Sequence, residues 1–433
     1  MTISSSLAAG VSGLNANAQR LASISDNIAN SATMGYKRVE TDFHAMVLES
    51  GNASRFNAGG VRSSTARLID ERGQLQTTQN ATDIAMNGRG FMPVTRQAAL
   101  TQQGELPLSL MTTGSFRPDD SGILTDPVGN VLLGWPARQD GSFPSFPRDS
   151  TDGLEPINIF HNQYSANPTT EMTMHVNLPS DDSAPGASGD PYDITLEYFG
   201  NLGQKESLNV VFTPTVGGAA PSNQWTMQVT DSASGGAVIA EYTLDFNTGN
   251  PGGGTMTSVT TVTGNAYDPA TGTVDLTAGG GTIALNIGEL NDNSAITQLD
   301  SVFAPSSLAK NGTSVGTLLG VEIDAGGIVS AVYDSGFTRS IYQVPIIDVA
   351  NPNGLKSGDG QTYSVTGESG DMFLWDAGEG PVGETVGYTR EASTTDVANE
   401  LTTLIQTQRA YSSNAKIIQT VDEMLQETTN LKR

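Results

Sequence analysis

The sequence predicts an α+β protein of several domains, with terminal α-helices that pair as a coiled coil and nested all-β domains, sandwich- or barrel-like, between them. Three observations carry this. Leu7, Leu14, Leu21 and Ile28 recur every seven residues, with Val11 and Ala18 between them. Val397, Leu401, Leu404, Tyr411, Ala415, Ile418 and Leu425 repeat the pattern at the other end. No proline precedes Pro93 or follows Pro381, and the last glycine is Gly387. The chain between is rich in Gly and Thr and alternates with the period of a strand.

Residues 1 to about 30 read as the first helix, with Ser4, Ser5 and Ser6 able to cap its start. Gly10, Ser12, Gly13, Asn15 and Asn17 each weaken it, so alone in water it is largely unfolded. A narrow apolar stripe gains order only against another helix. The opposite terminus and neighbouring copies are the available partners. The candidate assembly interface is therefore Leu7, Val11, Leu14, Leu21, Ile24 and Ile28 with Val397, Leu401, Leu404, Tyr411, Ile418 and Leu425. Residues 394–433 supply the second helix.

Residues 31–75 read as a connector, either short strands or a flexible linker, with Arg38, Arg55, Arg62, Arg67 and Arg72. Residues 76–148 carry recurrent turn signals and short apolar runs, the mark of a compact β domain. Residues 149–299 alternate clearly. Trp225, Met227 and Val229 face one way, as do Val238, Ala240, Tyr242, Leu244 and Phe246. Residues 300–393 return to β structure, with a hairpin turning at Ala325-Gly326-Gly327. If the end helices pair, the layers inside them pair next. Residues 76–148 plus 300–393 then form an inner β domain, and 149–299 is an insertion in it.

The chain has 433 residues, no cysteine and a net charge of -25. Disulfides and thiolate chemistry are excluded. From Asp149 to Ala309 one base, Lys205, faces 18 carboxylates, so this segment carries -17 of the total. It reads as a solvated acidic surface, or as the outermost part of an assembly where repulsion limits sideways aggregation. Nucleic-acid binding is disfavoured without Lys and Arg clusters. No stretch is long and apolar enough for a membrane helix, and no basic leader precedes the early apolar residues. That leaves a cytoplasmic protein, or export without a cleaved leader.

Motifs for chemistry are sparse. Gly312-Thr313-Ser314-Val315-Gly316 matches the nucleophile-elbow pattern, yet His44, His161 and His175 all precede it. Asn87-Gly88-Arg89-Gly90-Phe91 fits no phosphate loop. Asp181, Asp182 and Asp190 lack calcium-loop spacing. The expectation is no enzyme, no cofactor and no metal.

Several runs do carry a resemblance. Val11-Ser12-Gly13-Leu14-Asn15-Ala16, Gln19-Arg20-Leu21, Ile24-Ser25-Asp26-Asn27-Ile28-Ala29-Asn30 and Gly35-Tyr36-Lys37-Arg38 resemble the amino-terminal signature of the flagellar rod and hook axial family. Gln408-Arg409-Ala410-Tyr411-Ser412-Ser413-Asn414-Ala415-Lys416-Ile417-Ile418-Gln419-Thr420 with Asp422-Glu423-Met424-Leu425 resembles its carboxy-terminal one. Asn87–Phe91 and Asn351-Pro352-Asn353-Gly354-Leu355 look like its inner β motifs. Met34 stands where the family usually has proline, so no fixed φ pre-sets the turn at Gly35. Rod members are shorter and lack a large insertion, so length points to the hook branch.

The resemblance implies a structural subunit that self-assembles into a flexible helical tube, joining rod to filament, transmitting torque and surrounding an export channel. It implies rod and hook–filament junction proteins, the hook cap and the flagellar export apparatus as partners. It also implies an extracellular location in the bacterial flagellum, reached by type III export. A distal rod or hook-associated protein is the near alternative. A secreted β-rich adhesin without end helices, or a hydrolase at Ser314, is a distant one.

Overall fold

The computed structural model describes residues 3–46, 58–101, 106–138, 140–279 and 281–430. Arg55 of the connector lies outside them, as do the side chain of Ser4 and the last three residues. Two helices bracket the chain: α1, Ile3–Ala29, and α2, Val397–Asn430. Everything between is strand, turn and short 3-10 helix. Because α1 starts at Ile3, Ser4–Ser6 sit inside its first turn, not ahead of it as caps. Asp396 caps α2: its Oδ1 accepts the Ala398 and Asn399 amides at 2.9 and 3.2 Å, an N-terminal acid also favoured by the helix dipole.

The chain divides into two compact units. The first comprises Met1–His161, Val321–Ala331 and Arg339–Arg433; the second comprises Asn162–Gly320 and Val332–Thr338. The sequence-based limits of the insertion were 149–299. The second unit reaches further along the chain because strand Ala304–Lys310 pairs antiparallel with Glu171–Pro179, and Thr313–Thr317 pairs with Tyr164–Asn167.

In the second unit, five antiparallel strands from Tyr192 to Thr263 form one sheet. A mixed sheet around Glu171–Pro179 forms the other, its parallel pairs running to Ala284–Asn286 and Thr297–Leu299. Val176, Leu178, Phe212, Trp225, Tyr242, Leu276 and Leu285 from both sheets share one core. This is a β-sandwich, with alternate residues turned inward. Trp225, Met227 and Val229 are buried as the alternation predicts. Val238 is not: the register jumps between Val229↔Ala240 and Thr230↔Val238, leaving Ile239 as a bulge. One extra residue flips everything before it to the other face.

The first unit has a smaller core of Ile69, Phe91, Leu110, Leu133, Trp135, Ile347, Val349 and Leu374. The Asn87–Phe91 run serves this packing. Gly90 has φ +118°, and a Cβ there would lie 2.2 Å from Ile346. Phe91 and Ile347 then exchange backbone hydrogen bonds at 2.9 and 2.8 Å. Asn353 holds the segment that leaves the strand Val61–Arg67, its Oδ1 accepting the Ile69 and Asp70 amides. The expected hairpin turn at Ala325–Gly327 forms, closed by the Gly327 amide donating to the Asp324 carbonyl at 3.1 Å.

Candidate assembly site

The connector's described part is a β-hairpin: β1, Val39–Ala45, and β2, Val61–Arg67, in unbroken antiparallel register. It lies against α1. The Val61 amide donates to Ser12 Oγ at 3.1 Å, and Ser23 and Thr41 share a hydrogen bond at 2.9 Å. On another face α1 meets α2. A Cβ on Gly10 would stand 3.3 Å from Ile418, and one on Gly13 would stand 2.9 Å from Asn414. Asn27 reaches Glu400 at 2.9 Å. The partner number falls as the α1 number rises, so the helices run antiparallel.

This seam is small and polar. Gly10, Gly13, Ala16, Asn17 and Asn27 are buried on α1, and Glu400, Thr407 and Val421 are buried on α2. By helix propensity Gly10 and Gly13 read only as weak helix formers. Their three-residue spacing places both on one face, where a missing Cβ lets α2 approach. Of the twelve interface candidates, Ile24 alone is buried within the chain. Leu7, Leu14, Leu21, Ile28, Leu404 and Ile418 are half-buried. Val11, Val397, Leu401, Tyr411 and Leu425 are exposed. The predicted stripe is thus offset from the seam that closes inside one chain.

Asn27 is the hub where the seam meets the hairpin. Its Nδ2 donates to Glu400 Oε1 and the Val39 carbonyl, both at 2.9 Å, and its Oδ1 accepts the Val39 amide at 2.8 Å. Tyr36 OH donates to Asp26 Oδ2 at 2.9 Å, with Asn27 Oδ1 3.1 Å away. Burial, then the Asp26 hydrogen bond, pushes the Tyr36 phenol up to about 12. Beside it Lys37 and Glu391 form a buried ion pair at 2.6 Å. Lys37 Nζ also donates to the Glu71 carbonyl, and the Gly73 amide donates to Glu391. Burial lowers the Lys37 pKa, and the Glu391 carboxylate opposes that shift. The turn at Gly35 forms without a proline: Gly35 has φ +73° and its amide donates to the Glu391 carbonyl at 2.8 Å.

The Gly312–Gly316 pattern lies at the start of an 11-residue strand, Thr313–Ile323, with neither sharp turn nor helix after it. Among the described residues no group of His, Asp and Glu could hold a metal, and no helix is long and apolar enough to cross a membrane.

The two helices of this site lie largely within segments that match known families. Residues 7–37 match the family model described as flagella basal body rod protein, and residues 386–431 match flagellar basal body rod FlgEFG protein C-terminal. The helix pair with its β-rich interior therefore defines a flagellar axial protein. Over its full length the chain is 35% identical to the flagellar hook protein FlgE of Rhizobium meliloti (strain 1021), covering 100% of both chains. It is 33% identical to that of Brucella suis biovar 1, again over 100% of both. Identity is 29% to that of Salmonella typhimurium, over 99% of this chain and 100% of the other. A crystal structure of Helicobacter pylori flagellar hook protein FlgE2 superposes with a TM-score of 0.46 at 13% identity, covering 74% of this chain and 99% of that one. The chain belongs to the flagellar hook protein family: it is a structural subunit of the hook, in the extracellular part of the flagellum.

Proposed function

We propose that copies of this chain polymerise through their terminal helices into a hollow, bendable tube that carries torque from rod to filament. The tube interior is the export channel, and the acidic sandwich lies outermost. The partners of its ends are the rod, the hook–filament junction proteins, the hook cap and the export apparatus, and its role is mechanical, without catalysis. One observation carries this reading. After α1 and α2 have paired, α2 still exposes Val397, Leu401, Ile405, Ile417, Met424 and Leu425, too much apolar side chain on one helix for a free surface. Neighbouring copies cover it. A net charge of -25 keeps the unassembled chain dispersed. Polar contacts between outer units let neighbours slide between near-equal packings as the tube bends.

Leu404→Asp tests this. It places an unpaired charge at a half-buried position of α2, at a cost of about 3–5 kcal/mol if that position is closed in the polymer. The expected outcome is loss of tubes in electron micrographs, while circular dichroism retains the β signal. Normal tubes from the variant defeat the reading.

A further inference from the structure

The uncovered apolar side chains of α2 fall into two sets of opposite shape. Val397, Leu401 and Ile405 are 40%, 46% and 51% exposed and recur every four residues, so they stand as a ridge along the helix's first half. In the second half there is a groove of about 620 Å³, walled by Ser412, Ser413, Lys416 and Thr420 with Ser6 of α1, and floored by Ile417, Val421 and Met424. Ile417 and Met424 are each 47% exposed.

At 3.6 residues per turn the ridge centres roughly 150° around the helix from Ile417 and Met424. The α1 seam (Glu400, Thr407, Asn414, Ile418) occupies the arc between them on one side. Ridge and groove floor therefore face different ways in different halves of one helix and cannot meet within a chain. They are complementary in character, three branched apolar side chains against a cleft with an apolar floor and with small hydroxyl side chains and Lys416 in its walls.

We propose that the ridge of one copy seats in the groove of the next. This rests on the assembly reading above and gives it a geometry. Copies of a helical polymer keep one polarity, so the contact is parallel. Leu401 and Ile417 are 16 residues apart, which sets an axial stagger of roughly 24 Å at 1.5 Å per residue. The contact is heterologous: each copy offers one ridge and one groove, and propagation does not close. An isologous ridge-to-ridge contact would instead stop at a dimer.

The absence of native cysteine makes the test clean. Tubes are grown from Leu401→Cys, from Ile417→Cys, from the double variant and from a mixture of the two single variants, then oxidised and run without reductant. The expected result is a ladder of covalent multimers from the double variant, dimers from the mixture and monomers from each single variant. Val397→Cys with Ser413→Cys holds the same stagger, removes little apolar surface and serves if the first pair impairs assembly. Cross-linking of Leu401→Cys or Val397→Cys alone, or tubes of normal form with no cross-link in either pair, overturns the pairing. Failure of the unmodified chain to form tubes defeats the assembly reading instead, which electron microscopy of that sample shows separately.

Discussion

Asn27, Tyr36, Lys37 and Glu391 hold the base of the helix pair; Asn27 and Lys37 find partners more than 350 positions away, on Glu400 and Glu391, and Tyr36 bonds back to the end of α1. Asn27 is 1% exposed yet meets four polar groups, on α2, on the hairpin and on the turn before it. Buried polarity of this kind specifies one register over others. Tyr36 makes the cluster testable by pH. Its phenol titrates at about 12 in the folded chain, against an unfolded value of about 10. The folded state then holds the proton longer, so the stabilisation is complete below about pH 10 and is lost as pH rises through about 12. Denaturant unfolding of the native chain should lose stability across that window. Tyr36→Phe should lose less there, and equal slopes would remove Tyr36 from the account.

Of the two α-helices, α1 carries the interior glycines, Gly10 and Gly13, and both face α2. Gly13→Val adds a branched side chain where the Asn414 side chain already stands 2.9 Å from a built Cβ. Helix propensity alone would favour the change by a few tenths of a kcal/mol; the clash predicts the opposite, lost helical signal and undocked α1. A more helical variant would show that the seam is slack. The bulge at Ile239 makes a second claim. Val238→Ser should alter stability by less than about 0.5 kcal/mol, since Val238 sits on the solvent side. Leu244→Ala, six residues on and fully buried, should cost about 2–5 kcal/mol. Equal costs in thermal unfolding would mean that unbroken alternation is right after all. Both elements are recognisable from residue spacing; in the strand the alternation holds from Ala240 to Phe246 and fails at Val238, and on α1 the spacing does not single out the small residues that meet α2. Heptad leucines outweigh glycines in any apolar pattern, and a bulge leaves no mark in an alternating run.

For the molecule as a whole, charge separates the two units. The second unit holds Lys205 and Lys310, both bonded to Glu197 on the neighbouring edge strand. The remaining carboxylates of that unit have no other lysine or arginine within it. Subunits of net charge -25 repel at low ionic strength. Raising salt from about 0.01 M to about 0.15 M shortens the screening length from about 30 to about 8 Å and should speed polymerisation, read by light scattering. Assembly rates indifferent to salt would remove repulsion as a limit on growth.

Helix at both ends, alternating strands between, the absence of disulfides and the acidity of the middle are properties of neighbouring residues, and neighbours in sequence were enough to find them. Kinship with axial proteins was readable for the same reason, because its signatures are short local runs. Which side of α1 is buried, where the acidic unit ends and why Lys37 lies inside were not readable. Lys37 and Glu391 are 354 positions apart, and Gly13 finds its use only when Asn414 arrives beside it. Burial belongs to a pair of surfaces, and only folding brings the second one.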